Sequence, residues 1–391
     1  MRIGLDARTL FSPQRRGIGK SLLKLYQRLA AVRPDWQVVA YHRNPAYRPD
    51  DLPGNFSPKH IEIPGDRYDA WTQVRLPAAA KLDHVDVLHC PANACPRWMP
   101  VPTVVTLHDL IPLDLPEGRS NDELSRFEQA VASACAHATA VLTPSKYTRR
   151  RLIEDHGLNP KRGIVVPWGV TLGDDRTPDI TNADDVLARY GVERHYLLHM
   201  GAGEARKNTR GVVEAWAMVR AAYRQNWRLL IVGLDDKTKQ DLKRLCNVLG
   251  IDKQTALHGY AEEADLPVLL SGASALVYPS LSEGFGLPVL EAFASATAVI
   301  TSDTTSLPEV AGDAAELVPP GSATALASAM TRLMKDPMRR GELVSRGAHR
   351  LTRFRWADAG DKFASVLEVV ARTGRRRKHA DPTEPPQQAA A

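Results

Sequence analysis

Glu283 and Glu291 stand eight residues apart in Ser282-Glu283-Gly284-Phe285-Gly286-Leu287-Pro288-Val289-Leu290-Glu291. They bracket a glycine turn and the start of a helix. Upstream, the apolar run Ala273 to Tyr278 ends at Pro279-Ser280 and reads as a buried strand whose carboxyl end feeds this loop. Pro288 suits a first helical turn, where its fixed φ fits and its missing N–H would have no intrahelical partner. Together these aim backbone donors and a positive dipole end at a sheet's carboxyl edge, where open α/β folds bind ligands. Two carboxylates would repel a phosphate but accept hydrogen bonds from hydroxyls, so the residue types favour a polyol such as a sugar or ribose. The plain alternative is a helix start with Glu291 in the dipole field and Glu283 solvated.

A second group is cationic. Gly201-Ala202-Gly203-Glu204-Ala205-Arg206-Lys207-Asn208 follows a strand ending at Met200 and leads into a helix with Val212, Val213, Trp216, Val219 and Tyr223 on one face. Asn208 is the expected N-cap. Two cations facing the positive end of a helix dipole are unfavourable by some tenths of a kcal/mol each, a cost that makes sense if an anion such as a diphosphate binds there. A solvated basic loop is the alternative. His108-Asp109 follows the Thr103 to Leu107 run at another sheet edge and suits a catalytic dyad, a sugar contact or a hydrogen-bonded structural pair. Gly17-Ile18-Gly19 precedes the first predicted helix, but Leu22 replaces the third glycine of a dinucleotide fingerprint, which weakens an NAD reading. Close approach of a ligand to the backbone and a flexible turn both remain open there.

The elements that must carry these residues alternate. Short apolar runs at Ile3 to Asp6, Gln37 to Tyr41, Val85 to His89, Thr103 to Leu107, Ala140 to Thr143 and Gly163 to Val166 are separated by helical stretches, the first with Leu22, Leu23, Tyr26 and Leu29 on one face. After an Asp-rich polar stretch between Thr171 and Arg194 the alternation restarts. Strands are expected at Tyr196 to Met200, Arg228 to Val232, Thr255 to His258, Ser274 to Tyr278, Ala298 to Thr301 and Ala315 to Val318. This pattern predicts an α/β fold of two facing, doubly wound, Rossmann-like domains. The expected division is an N-terminal domain at 1–172, a C-terminal domain at 173–352, a crossover helix at 353–371 and a disordered basic, proline-rich tail at 372–391.

Composition sets limits on the class. At 391 residues, 43% hydrophobic and 25% charged, the chain has the make-up of a globular protein with room for two cores. No apolar h-region or long apolar run is evident, so a signal peptide and a membrane span are not expected, and a cytoplasmic location is. The four cysteines show no CxxC pair, which fits reduced thiols better than a zinc or disulfide framework. The net +6 is uneven: residues 1–170 hold 23 Lys and Arg against 17 Asp and Glu, and residues 372–391 hold 5 against 2. Arg15, Arg16, Lys20, Lys24 and Arg28 form one basic group, and Lys146, Arg149, Arg150 and Arg151 another. These could meet anionic lipid, could bind nucleic acid, or could form solvated faces.

Taken together these motifs resemble the retaining glycosyltransferases of family 4, which have the GT-B fold. The resemblance runs from Leu5-Asp6-Ala7-Arg8 to Phe354-Arg355-Trp356, and its most specific part is the spacing of Glu283 and Glu291. Tyr278-Pro279-Ser280 and Ser306-Leu307-Pro308-Glu309-Val310-Ala311-Gly312-Asp313-Ala314-Ala315 support it. It implies that Glu283 contacts donor-sugar hydroxyls and Glu291 the ribose. Backbone N–H groups of Phe285, Gly286 and Leu287 would hold phosphate or sugar oxygens, while Arg206 and Lys207 would hold the diphosphate. Gly259 and Tyr260 would lie near the base, Gly17 and Gly19 near donor and acceptor, and His108 near the transferring sugar. Many members have Arg where this chain has Ala202, so the cationic role would rest on Arg206 and Lys207. The resemblance also implies a hexosyltransferase with no metal and no cofactor, acting with retention on a nucleotide sugar, GDP-mannose first. The expected partners are that donor, a glycan or lipid-linked acceptor of surface polysaccharide or lipopolysaccharide synthesis and an anionic membrane face, with no nucleic acid. A sugar synthase or phosphorylase on the same scaffold and a basic nucleic-acid or regulatory binding protein are the competing readings.

Overall fold

The computed structural model describes residues 1–13, 15, 17–47, 49–62, 70–170, 182–193, 195–201 and 203–379, with side chains to residue 373. Among these residues thirteen strands form two sheets. The first contains β1 (Arg2–Asp6), β2 (Gln37–His42), β3 (Phe56–His60), β4 (Val87–Cys90), β5 (Thr103–Thr106), β6 (Ala140–Thr143) and β7 (Gly163–Val165). Their order is β3-β2-β1-β4-β5-β6-β7, and every pairing is parallel. The second contains β8 (Tyr196–Met200), β9 (Arg228–Val232), β10 (Thr255–Leu257), β11 (Ala275–Tyr278), β12 (Ala298–Ser302) and β13 (Glu316–Val318). Its order is β10-β9-β8-β11-β12-β13, again all parallel.

Both faces of each sheet are buried, as parallel sheets require. Along β8, Tyr196 and Leu198 enter one core while Leu197 enters the other, and along β11 Leu276 and Tyr278 oppose Ala275 and Val277 in the same way. In the first sheet Val87 and Leu88 likewise point into opposite cores. The strand order reverses beside β1 and beside β8, which opens a crevice at the carboxyl ends of β1 and β4 and of β8 and β11.

Twelve strands were anticipated within a residue or two; β3 was not. Phe56-Ser57-Pro58-Lys59-His60 is an edge strand, mostly exposed and broken by a proline, so it lacks a periodic apolar signal. The helix expected to carry Val219 and Tyr223 on its apolar face ends at Met218. Val219 turns to extended backbone, and the Arg224 guanidinium takes the carbonyls of Trp216 at 3.2 Å and Ala217 at 2.7 Å.

The helix Trp356–His379 returns to the N-terminal half. Phe363 packs edge-on against Tyr26 at 5.5 Å, and Glu368 pairs with Arg33 at 3.0 Å. Phe363, Ala364, Leu367 and Val370 join the core that holds β1. This is the crossover expected at 353–371, but its backbone continues to His379 through residues expected to be disordered. Arg and Lys are good helix formers, and no proline follows until Pro382. The remainder of the tail, from Ala380, lies outside the described residues, as does the segment 171–181 in the expected linker.

Candidate active site

Glu283 is the centre of the crevice. Its side chain is buried, and four donors converge on Oε1: Arg206 Nη1 at 2.7 Å, Lys207 Nζ at 2.8 Å, Tyr278 Oη at 2.6 Å and Ser280 Oγ at 2.7 Å. Oε2 accepts nothing from the described residues, which leaves one carboxylate oxygen for an outside hydroxyl. Burial alone would raise this carboxyl, but the Lys207 and Arg206 charges more than offset that and hold it down at about 2. Burial pulls the Lys207 ammonium down, against the attraction of Glu283. Arg206 Nε pairs with Glu204, and Lys207 also reaches the Tyr278 hydroxyl.

Two loops are stitched together to make this cluster. Arg206 and Lys207 sit in a single 3-10 turn, Ala205–Lys207, after β8; Glu283 follows β11, the neighbouring strand. The Arg206 carbonyl accepts from Leu281 N at 2.7 Å and Ser280 Oγ at 2.9 Å. Thr305 Oγ1 accepts from Glu283 N at 3.2 Å, and Ser306 Oγ donates to the carbonyls of Glu283 at 2.8 Å and Phe285 at 2.7 Å. Asn208 does not cap the following helix as expected. It adopts left-handed backbone at φ 55° and turns its amide to the Pro320 carbonyl at 2.8 Å, tying this loop to the end of the sheet. Ala202 lies outside the described residues.

The helix Leu287–Ala294 begins as the sequence predicts, with Pro288 in its first turn and Gly286 at φ 118° before it. Phe285 is a core residue, edge-on to Phe354 at 5.8 Å; what it can offer a ligand is its backbone. Glu291 is half-buried on this helix, and burial raises its carboxyl while Lys20 and Lys207 pull it down.

The N-terminal half meets this loop at His108. A Cβ on Gly284 would lie 2.1 Å from the His108 carbonyl oxygen and 2.7 Å from Asp109 Cβ, so only glycine permits the approach. His108 is buried edge-on to Trp168 at 4.8 Å, its backbone N–H donates to the Asn93 side-chain oxygen at 2.6 Å, and its ring Nε2 lies against the Pro91 carbonyl. Asp109 is pushed up to about 6 by burial, an effect that its bond from Ile111 N and the Arg206 charge reduce and the Glu283 charge reinforces. Further contacts bridge the crevice: Lys20 to Glu263 at 2.8 Å, and the Glu309 carboxylate to Lys146 N at 2.8 Å and Tyr147 N at 3.2 Å.

Gly17 and Gly19 were expected in a loop before the first helix; both belong to its first turn, Gly17–Val32. A Cβ on Gly19 would come 2.7 Å from the Thr9 carbonyl, so that glycine serves helix packing, whereas Gly17 faces open space. Gly259 and Tyr260 follow β10, two strands beyond β8, and the Tyr260 ring is 73% exposed at the rim. Across the sheet edge the order is therefore Gly259 and Tyr260, then Arg206 and Lys207, then Glu283. At about 4.8 Å per strand, the distance from β10 to β11 is roughly 14 Å. Tyr278 and Ser280 were recognised only as a supporting motif, although the alternation of strand residues had already placed Tyr278 at the strand's last position.

The basic groups are partly spent within the protein. Arg15 pairs with Asp51 at 2.6 Å, Arg151 with Asp114 at 3.0 Å, and Arg149 binds the Gly163 carbonyl at 2.7 Å. Arg16 lies outside the described residues. Among the described residues no helix is long and apolar enough to cross a membrane.

Two doubly wound parallel-sheet domains, joined by a returning C-terminal helix and meeting at their carboxyl edges, define the GT-B architecture. Residues 15–174 match the family model described as Glycosyltransferase Family 4, and residues 189–350 match that described as Glycosyl transferases group 1. The chain belongs to the family 4 glycosyltransferases. It is 29% identical over 269 residues to O-antigen chain mannosyltransferase B of Escherichia coli, covering 68% of this chain and 70% of that one. It is 27% identical over 290 residues to the serotype-specific mannosyltransferase WbdA of Escherichia coli, covering 70% of this chain but only 35% of that longer protein. Sucrose-phosphate synthase from Thermosynechococcus elongatus shares the fold at a TM-score of 0.74, with 19% identity over 95% of this chain and 99% of that one. The protein is thus a glycosyltransferase by family.

Proposed function

We propose that this protein transfers a hexose, mannose first and glucose next, from a nucleoside diphosphate sugar to a glycan or lipid-linked acceptor in surface polysaccharide or lipopolysaccharide synthesis. The observation that carries the reading is the order of groups along one crevice. Gly259 and Tyr260 suit the base, Glu291 the ribose, Arg206 and Lys207 the diphosphate, and Glu283 Oε2 a sugar hydroxyl. Likeness to O-antigen mannosyltransferases favours mannose, and hence GDP-mannose as donor.

In this reading the sugar C1–O bond to the diphosphate breaks, and a C1–O bond to the acceptor hydroxyl forms on the same face. The acceptor's proton passes to the leaving phosphate oxygen. Negative charge grows on the diphosphate, where Lys207 and Arg206 are already held in place by Glu283 and need little reorganisation. Glu283 is engaged by both cations and is a poor candidate for a nucleophile, so the two-carboxylate scheme of glycosidases does not apply. The chemistry proposed for this chain needs no metal ion or cofactor.

The test is a thermal-shift panel of GDP, UDP, ADP and their sugars, followed by anomeric assignment of the product by NMR in the presence of EDTA. Stabilisation by GDP and GDP-mannose above the others, and an axial product bond from the axial donor, are expected. No stabilisation by any nucleoside diphosphate, or an inverted product, overturns the reading. Association with an anionic inner membrane face is proposed from the basic helix and tail; loss of vesicle binding on deletion of residues 372–391 supports it, and unchanged binding removes the tail from it.

A further inference from the structure

A second cleft, of about 400 Å³, opens on the N-terminal domain away from Glu283. It is lined by Gln73, Arg97, Trp98, Arg126 and Gln129 over a floor that includes the buried Cys95. Its size is within the range of small-ligand sites. Its residue types are unusual for a merely solvated surface: an indole 50% exposed, two amides and two guanidiniums, one of which, Arg126, is paired with Asp122. Arg97 points at the Gln129 amide oxygen, a neutral partner, and among the described residues it meets no carboxylate. Gln73 is locked by both ends of its amide, accepting Arg97 N–H at 3.0 Å and donating to the Cys95 carbonyl at 3.2 Å. The Lys81 ammonium lies 5.8 Å from the Trp98 ring centre, which leaves part of that ring accessible.

The cleft shares no lining residue with the crevice at Glu283, but its loops are tied to that crevice by hydrogen bonds. The loop that carries Cys95, Arg97 and Trp98 is pinned to His108 through Asn93 at 2.6 Å. Trp98 is five residues along the chain from Asn93, so its Cα is at most about 17 Å from that anchor. From the other side, Gln73 adjoins Thr72, whose hydroxyl accepts from Arg8 at the carboxyl end of β1 at 2.9 Å.

We propose that this cleft is a remote acceptor subsite that binds a sugar ring of a growing glycan. Trp98 provides a flat apolar face for the C–H side of a pyranose, and Arg97 and Gln129 provide directional partners for its hydroxyls. Because its lining is separate from the crevice around Glu283, it would hold a unit behind the reacting end of the acceptor. This deepens the hexosyltransferase reading and rests on it for the word acceptor, though not for glycan binding itself.

The probes are methyl α-mannoside and α-linked manno-oligosaccharides of two to five units, with binding followed by saturation-transfer NMR and transfer followed with GDP-mannose. The intact protein is expected to bind the longer probes at least tenfold more tightly than the monosaccharide. Trp98→Ala is expected to remove about tenfold of that gain, corresponding to roughly 50 Å² of apolar contact. GDP affinity and hydrolysis of the donor by water should not change, and Trp98→Phe should restore most of the length dependence. Length dependence indifferent to Trp98→Ala overturns the proposal. So does binding that high salt and Arg97→Gln abolish while Trp98→Ala does not, since that describes an anion site. Trp98-dependent glycan binding in a protein that binds no nucleoside diphosphate leaves the subsite standing and refutes the donor reading; the reverse result refutes only the subsite.

Discussion

Replacing Glu283 by Gln separates charge from shape at the centre of the site. Glutamine keeps an oxygen for Tyr278 and Ser280 but leaves Lys207 and Arg206 facing each other without a counter-charge. The carboxyl is held from an ordinary 4.5 down to about 2 in the folded protein, chiefly because Lys207 and Arg206 outweigh the penalty of burial. At about 1.4 kcal/mol per tenfold change, that depression is worth about 3 kcal/mol to folding at neutral pH. The sign follows from linkage: a depressed carboxyl stabilises above its unfolded pKa and loses that contribution as the pH falls towards its folded one. The gap between wild type and Glu283→Gln should therefore be full at pH 7 and shrink as the pH falls through 4 towards 2. Calorimetry should show a melting temperature roughly 6–12 °C lower for the variant at pH 7, given 2–4 °C per kcal/mol for a domain of this size. Equal melting temperatures at pH 7, or a gap that does not shrink in acid, would refute the claim that Glu283 is held ionised by the two cations.

Three further outcomes are expected. Lys207→Met should lower kcat by about 10²–10³ per folded molecule, because in the proposed reaction its charge faces the leaving diphosphate, while Arg206 continues to neutralise Glu283; normal turnover with a large loss of stability would make Lys207 a structural residue only. Asp109 is raised to about 6 in the folded protein, so its burial costs stability as pH rises from about 4 through 6. Asp109→Asn should therefore stabilise the protein by about 3 kcal/mol at pH 7.5 and not at all below about pH 3, and a pH-independent difference in urea titrations would count against this. Glu309→Gln weakens the carboxylate that caps the Lys146–His156 helix from across the crevice, worth about 1 kcal/mol to the closed arrangement; small-angle scattering should show a larger radius of gyration, and an unchanged radius would deny Glu309 that role.

Much of the fold was legible because buried parallel strands are apolar on both faces and stand out between helices. Where a segment lacks that signal, as at Phe56-Ser57-Pro58-Lys59-His60, edge pairing to β2 supplies the strand instead. The Glu283 to Glu291 stretch and Arg206-Lys207 were also legible, each as one half of a site. What was not legible is how they combine. That both cations, a tyrosine and a serine all converge on a single oxygen of Glu283 depends on two loops 70 to 80 residues apart meeting at adjacent strand ends. The Glu309 to Lys146 contact spans 163 residues and two domains, and no local pattern encodes it. Gly284 is a similar case: its glycine looks like turn chemistry in the sequence, but its backbone has an ordinary φ, and the requirement comes from His108 on the opposite domain.

The central claim is that one crevice holds a nucleoside diphosphate sugar across Arg206, Lys207 and Glu283. Isothermal titration of the intact protein with GDP-mannose, repeated with Arg206→Ala, tests it most directly. The account predicts saturable one-to-one binding that the variant weakens by tenfold or more and that GDP competes for. Binding of equal strength in the variant, or none in the intact protein with any nucleoside diphosphate sugar, would contradict it.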